Sequence, residues 1–143
     1  MNPTAKREAK ALLEEFEGRR AKPYKCTEGF LSIGIGHNLD SKGLPNHIID
    51  ALFEHDWQEA EAGAEGLPGY QAADDVRRGV MVRMVFQLGL GGVLKFKNML
   101  AHFAAGAYEA ASKEMLKSKW AMQTKTRAER ESRIMATGRL TPT

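Results

Sequence analysis

Three side chains near the N-terminus carry groups that can perform acid–base or nucleophilic chemistry. Glu17 supplies a carboxyl group, Cys26 follows nine positions later with the only thiol in the chain, and Ser32 adds a hydroxyl six positions further on. A carboxyl group donates or accepts protons, while a thiol or hydroxyl attacks an electrophilic carbon or orients a water molecule. Each residue alone has an ordinary structural explanation, since a single cysteine is usually a small buried apolar residue. Together they predict a convergent set on one wall of a cleft.

A helix and a small β-hairpin are predicted to position this set. Pro3 and the apolar residues that recur at helical spacing after it predict a helix over residues 4–16, which Gly18 ends. The β-formers and glycines of residues 24–37 predict a hairpin or two to three short strands. Glu17 therefore falls at a helix end, and Cys26 and Ser32 fall on the hairpin.

The remainder of the chain is predicted to be helical. Residues 76–88 are apolar nearly all round, which is typical of a buried central helix, and glycines at 89, 91 and 92 interrupt it. The pattern predicts a loop at 38–45 and helices at about 46–62, 76–88, 95–104, 107–117 and 125–136. The fold class is therefore α+β and mainly helical, with a small N-terminal β-sheet, a helical C-terminal lobe, and the 46–62 helix joining the two lobes.

Composition limits the partners and cofactors. The 143 residues amount to about one domain, and a formal charge of +3 suits an anionic partner without identifying it. One cysteine excludes an internal disulfide framework, and four histidines without metal-site spacing predict no metal or other cofactor. No apolar run reaches 18 residues, and the charged start lacks a signal peptide's apolar region. We therefore expect the chain to have no route of its own out of the cytoplasm.

The motifs resemble those of the phage-type lysozymes, the endolysins of glycoside hydrolase family 24. The matching runs are EG, YK, TEG and IGIGH between Glu17 and His37, VRR at 76–78, MVFQ at 84–87, and KS-x-W-x2-QT-x2-RA-x-R at 117–130. The resemblance implies a two-lobed lysozyme domain over 1–143. Its β-containing lobe would cover about 17–45, its inter-lobe helix 46–62, and its helical lobe 70–143, with helix 4–16 packed on that last lobe.

The resemblance also implies catalytic roles. Glu17 would be the general acid, and Cys26 and Ser32 occupy positions where the family commonly has Asp and Thr. Cys26 could attack the anomeric carbon as a thiolate, giving retention, or could position a water with Ser32, giving inversion. It could also be a tolerated filler. A free thiol is only slightly ionised at neutral pH and Ser32 keeps the hydroxyl, so water positioning is favoured.

Further roles follow from the same resemblance. Arg127 is expected to contact Glu17, and His37 is expected to pair with Asp56. Trp120 is expected to pack in the core of the helical lobe. The residues expected to bind the saccharide are Gln87, Gln123, Thr124 and Arg127.

The expected function is that of an endolysin muramidase. It would hydrolyse the β-1,4 bond between N-acetylmuramic acid and N-acetylglucosamine in peptidoglycan and cause host lysis. The resemblance implies a monomer without nucleic-acid partners that stays in the host cytoplasm until a holin opens the membrane, and then reaches the periplasm or cell wall. The alternatives are a lytic transglycosylase acting on the same bond and a non-enzymatic basic binding module. Against the module, basic residues at 117–133 are interleaved with acids.

Overall fold

Eight helices and three strands make up the computed structural model, which describes residues 1–141. The strands are β1 (Arg20–Lys25), β2 (Leu31–Gly34) and β3 (His37–Asn38). The helices are α1 (Pro3–Glu17), α2 (Leu39–Lys42), α3 (Asn46–Glu65), α4 (Asp75–Val93), α5 (Lys97–Ala104), α6 (Tyr108–Leu116), α7 (Lys119–Gln123) and α8 (Lys125–Thr137). The chain divides into two compact units, Met1–Asp50 and the residues from Ala51 onward.

Helix α1 of the first unit confirms the predicted helix at 4–16. The Asn2 side chain accepts a hydrogen bond of 2.8 Å from the Ala5 amide, so Asn2 caps the helix. Pro3 occupies the first turn, where a missing N–H costs nothing. At the other end, the backbone of Gly18 turns at φ 76°, and the chain leaves the helix directly after Glu17.

The predicted hairpin is a three-stranded antiparallel sheet in the order β1-β2-β3. Ser32 on the middle strand lies opposite Tyr24 of β1 and Asn38 of β3. The predicted loop at 38–45 is partly wrong, because it contains the last residue of β3 and the single-turn helix α2. The Asn38 side chain accepts a hydrogen bond from the Ser41 amide and so stabilises a turn too short to show periodicity.

The second unit is built around α4, as the sequence predicts. Residues 80–82, 84 and 85 on this helix are all buried. The predicted break also occurs, because Gly89 adopts φ 75° and ψ 159° inside the helix. The largest fully buried side chains of the unit are Phe103, Met81, Met84, Met99, Met115 and Met135, followed by three valines. Unbranched methionine fills irregular gaps between short helices.

The shorter helices of the second unit agree with the predicted ranges to within two residues, but α7 is missing from the prediction. The Ser118 hydroxyl accepts a hydrogen bond of 3.1 Å from the Ala121 amide and starts this five-residue helix. The last two positions of the predicted lobe 70–143 lie outside the described residues. The single domain over 1–143 and the packing of the first helix on the helical lobe stay predictions. Within residues 1–141, no single helix is long and apolar enough to span a membrane.

Arg77 fixes the end of α8. Its guanidinium donates to the carbonyl oxygens of Met135 at 2.7 Å and Ala136 at 3.0 Å, and lies 4.1 Å from the centroid of the Tyr108 ring. A third donor pairs with Asp74 at 2.8 Å. Carbonyl groups that the helix itself leaves unpaired thus find donors on α4. Asp74 orients the arginine and also caps α4 through the Arg77 amide.

We expect Asp74→Asn to destabilise the protein at neutral pH and progressively less in acid. Partial burial acts to raise the pKa of Asp74, but hydrogen bonds from Arg77 outweigh it and the pKa lies below its ordinary value. A depressed folded-state pKa contributes stability that is lost as pH falls through it. Because Asn still caps a helix and the carboxylate is partly exposed, the loss at pH 7 should be about 0.5–1 kcal/mol.

Urea unfolding of both proteins between pH 7 and the acid range would measure this difference. Asp75→Asn is the matched control, because Asp75 forms the same i,i+3 ion pair with Arg78 while its side chain is 93% exposed. That change should stay within about 0.5 kcal/mol at all pH values. An Asp74→Asn difference that grows toward acid would contradict the assignment.

Candidate active site

The carboxyl group of Glu17 lies directly against the backbone of Gly36. A Cβ atom placed on Gly36 would lie 2.7 Å from Glu17 Oε2 and 2.8 Å from its carboxyl carbon, so the carboxyl would have to move to make room for it. Gly36 also has φ 65°, a conformation that side-chain-bearing residues rarely adopt. The glycine in the turn between β2 and β3 therefore lets the predicted acid lie close to the sheet.

The sheet places Cys26 and Ser32 on the same face. Tyr24 pairs with Ser32, and the Cys26 amide donates to the Phe30 carbonyl at 2.9 Å, which continues the pairing beyond the end of β1. Side chains alternate along a strand, and cross-strand partners share a face. Cys26 and Ser32 are therefore diagonal neighbours, a relationship that spans about 7–8 Å between backbones. Their clustering follows from the register.

The two groups differ in how firmly they are held. Ser32 is 4% exposed on the middle strand, where both neighbours fix its backbone. Cys26 is half-buried and begins the tight loop to Phe30, in which Gly29 donates back to the Cys26 carbonyl at 2.9 Å. The hydroxyl thus belongs to the rigid sheet, whereas the thiol lies at a loop edge that solvent can reach.

His37 takes part in a local hydrogen bond within the first unit. Its Nε2 lies 2.6 Å from the Gly43 carbonyl oxygen, a contact that requires Nε2 to carry the proton. The expected pairing of His37 with Asp56 would join the two units and stays a prediction. Asp56, His55 and Glu59 bring ligand-type atoms within 4.8 Å of one another, but all three are exposed, as acidic groups often are without a metal. The expectation of no metal stays an expectation.

In the second unit, Trp120 orients Gln87. Its indole N–H donates to Gln87 Oε1 at 2.9 Å, which leaves the amide N–H groups of Gln87 for a ligand. Trp120 is 5% exposed and Phe96 packs edge-on against its ring at 6.1 Å, so the prediction that it belongs to the core is confirmed. The Thr124 hydroxyl donates to the Trp120 carbonyl at 2.9 Å. Two predicted saccharide-binding residues therefore share one buried anchor.

Gln123 borders a depression of about 640 Å³ beside this anchor. Lysine side chains dominate its charged rim, with one acid among them. The charged lining residues are Lys95, Lys97, Lys117, Lys119 and Glu114. The depression therefore favours an anionic ligand group.

Arg127 lies on α8 next to α4. Its Nη2 donates to the Arg83 carbonyl at 3.2 Å. Arg83 in turn donates from Nε and Nη2 to the two carboxylate oxygens of Glu131, at 2.7 and 2.8 Å. The expected contact between Arg127 and Glu17 joins the two units and stays a prediction.

Sequence reasoning missed the residues that hold the predicted site in place. Gly36 was visible only as part of a motif, and although a glycine in a tight turn can signal close approach, nothing local points to Glu17, 19 positions earlier. Glu131 also gave a signal, because it falls on the apolar stripe of α8 with the buried residues Ala128 and Met135. A charge on a buried stripe requires a partner. That partner, Arg83, is 48 positions away and no local pattern indicates it.

Comparison with known proteins decides the family. The phage lysozyme family model matches residues 14–133. This chain belongs to the phage lysozyme family. It is 32% identical to probable T4-type lysozyme 1 of Dictyostelium discoideum, over 92% of this chain and 95% of the relative. It is 32% identical to an endolysin of Bacillus phage B103, over 74% of this chain and 42% of that protein.

A third relative carries the similar region inside a larger protein. The pre-baseplate central spike protein of Enterobacteria phage T4 is 34% identical over 90% of this chain, which spans 28% of the spike protein's length. The family and its members confirm the resemblance, the mainly helical α+β fold and the enzyme class. This lysozyme is a glycoside hydrolase of the peptidoglycan-degrading type.

We expect Gly36→Ala to remove most lysozyme activity while leaving the protein folded. The new methyl group would displace the Glu17 carboxyl, and misplacing a reacting group by about 1 Å can cost roughly 10²-fold in rate. The rate of cell-wall turbidity loss would measure the effect, with urea unfolding as the check on folding.

Gly34→Ala is the matched control for this substitution. Gly34 has φ 68° and open space where a Cβ would lie, so it shares the backbone cost of about 1 kcal/mol without the collision. It should keep activity within a few-fold of the wild type. Equal activity losses in the two variants would show that the Gly36 contact does not position the acid.

Proposed function

We propose that this lysozyme is a muramidase that hydrolyses the β-1,4 bond between N-acetylmuramic acid and N-acetylglucosamine. The observation that supports this most is the close approach of the Glu17 carboxyl to Gly36, in the same unit as a sheet face that carries Cys26 and Ser32. Glycosidic cleavage needs a proton for the leaving oxygen and a group that deals with the positive centre left behind. Glu17 supplies the proton.

Cys26 and Ser32 complete the reaction by positioning a water molecule. Ser32 is buried on the middle strand, so its backbone is firmly placed, and the half-buried sulfur lies at the loop edge. Attack by that water would invert the anomeric configuration. The rival step is attack by the Cys26 thiolate, which would form a thioglycosyl intermediate and retain the configuration after hydrolysis.

The lysine-rich depression beside Gln123 suits the peptide portion of peptidoglycan. Wall peptides carry carboxylates, and four lysines with one acid on the rim would attract them. Gln87, oriented by Trp120, presents amide donors that suit the acetamido or hydroxyl oxygens of the sugars. The net charge of +3 acts in the same direction over the whole chain.

We propose host lysis as the biological role. The name of the endolysin from Bacillus phage B103 supports this role. Other relatives are a probable lysozyme of Dictyostelium discoideum, which is not a phage, and a baseplate spike protein of phage T4. In this role the protein acts as a monomer without nucleic acid, waits in the host cytoplasm, and needs a holin to reach the periplasm or cell wall.

We expect Glu17→Gln to lower the rate of peptidoglycan cleavage by at least about 10²-fold, because the general acid is lost. Glu15→Gln, two positions earlier and also exposed, is the matched control and should act like wild type. Mass spectrometry of purified peptidoglycan digests tests the chemistry, since hydrolysis adds one water to each cut and a lytic transglycosylase leaves an anhydro ring. Anhydro products, or a fully active Glu17→Gln variant, would contradict the proposal.

We expect Cys26→Asp to stay active and Cys26→Ala to lose about 10²-fold in rate, since a carboxylate can also position or activate a water. Anomeric analysis of fresh products by NMR should show inversion in the wild type. Retention would support the thiolate route instead, and an active Cys26→Ala variant would mean that the sulfur only fills space.

A further inference from the structure

The ion pair between Arg83 and Glu131 is the most enclosed charge pair among the described residues. Glu131 is 5% exposed, and both of its oxygens accept from the guanidinium, at 2.7 and 2.8 Å. Ala128, on the same face of α8 as Glu131, is fully buried. The Arg83 guanidinium lies close to Gly79, where a Cβ atom would be 3.0 Å from Nη1. This two-point contact fixes α8 along α4.

Stability alone does not account for such a pair. Removing two charges from water costs about as much as their attraction returns, and apolar side chains of similar volume often stabilise a fold equally well. What the pair does provide is geometry, because a guanidinium and a carboxylate meet in one plane and one register. The pair therefore sets the register of α8 against α4, on which other contacts between these helices depend.

The contact of Arg127 with α4 depends directly on the register between α8 and α4. Arg127 and Glu131 are four residues apart on α8 and so lie on one face, one helical turn from each other. The Arg83 side chain holds Glu131, and the Arg83 backbone carbonyl accepts from Arg127 Nη2 at 3.2 Å. One residue of α4 therefore contacts two consecutive turns of α8.

We propose that Glu131 is a positioning residue that acts, through Arg83, on the exposed guanidinium of Arg127. Without the ion pair, the turn of α8 that carries Glu131 loses its two-point contact with Arg83, although Arg77 and Ser132 still hold the later part of the helix. Arg127, one turn earlier, then loses its contact with the Arg83 carbonyl. The pair, in which Glu131 is buried and Arg83 is partly exposed, thus keeps a surface arginine in one position. The inference rests on the proposed role of Arg127 in saccharide binding.

A double-mutant cycle on the rate of peptidoglycan cleavage tests the coupling. Glu131→Gln should lower kcat/KM about tenfold when Arg127 is present, because a small misplacement of a binding group is costly. In an Arg127→Ala background, the same substitution should change kcat/KM less than about twofold, since coupled residues are not additive. Equal losses in both backgrounds would overturn the proposal, as would an Arg127→Ala variant with wild-type activity.

Two further variants separate positioning from general destabilisation. Ser132→Ala removes the hydrogen bond of 2.9 Å by which α8 is fastened to the Ser112 carbonyl, so it should lower Tm without involving Arg127. Its effect on kcat/KM should be the same in both backgrounds. Arg83→Met combined with Glu131→Leu should have a Tm near the wild-type value and still show a kcat/KM about tenfold lower, and recovery of full activity would contradict a positioning role.

The cycle stays interpretable if the proposed chemistry fails. It measures the rate of cleavage, whichever products form, so anhydro products or an active Glu17→Gln variant would overturn the muramidase mechanism and leave the coupling measurable. Conversely, hydrolytic products together with equal losses in both backgrounds would overturn the Glu131 inference alone.

Discussion

The contact between the Glu17 carboxyl and the backbone of Gly36 is the constraint on which the catalytic unit depends. Within Met1–Asp50, the hydrogen bonds and salt bridges of the described residues do not include this carboxyl. Its place in this unit follows from the end of α1 and from the glycine that it approaches. A glycine at this point of the turn lets the acid lie close to the sheet.

Cys26 lies at the position where the family resemblance implies a carboxylate, so the proposed mechanism has a thiol there. In that mechanism the orienting of water depends more on Ser32, whose backbone is paired on both sides in the sheet. The proposal thus assigns water to the buried residue of the middle strand and leaves the half-buried sulfur at the loop edge a secondary part.

Local patterns predicted most of the fold because most of it is locally determined. The apolar run of α4, the stop at Gly18 and the break at Gly89 appear where spacing and glycines place them. The single-turn helices α2 and α7 could not be seen, since each is stabilised by one capping side chain rather than by periodicity. The identities of the candidate site residues came from motifs, whereas their supports came only from the structure. Gly36 and Arg83 act through contacts that sequence separation hides.

In the second unit, buried residues contact the less buried groups that are proposed to bind the saccharide. Trp120 is buried and fixes Gln87 and Thr124, and Glu131 is buried and fixes Arg83, whose carbonyl meets Arg127. An exposed amide or guanidinium on a long side chain samples many rotamers, and ordering it on binding costs about 0.5–1.5 kcal/mol. A contact with a buried residue orders each of these side chains during folding, so less conformational entropy is lost when a ligand binds. Unbranched methionine side chains, which make up much of this core, adapt to their surroundings. Polar contacts between α4, α7 and α8 therefore supply the directional restraints on the residues that are proposed to bind the saccharide.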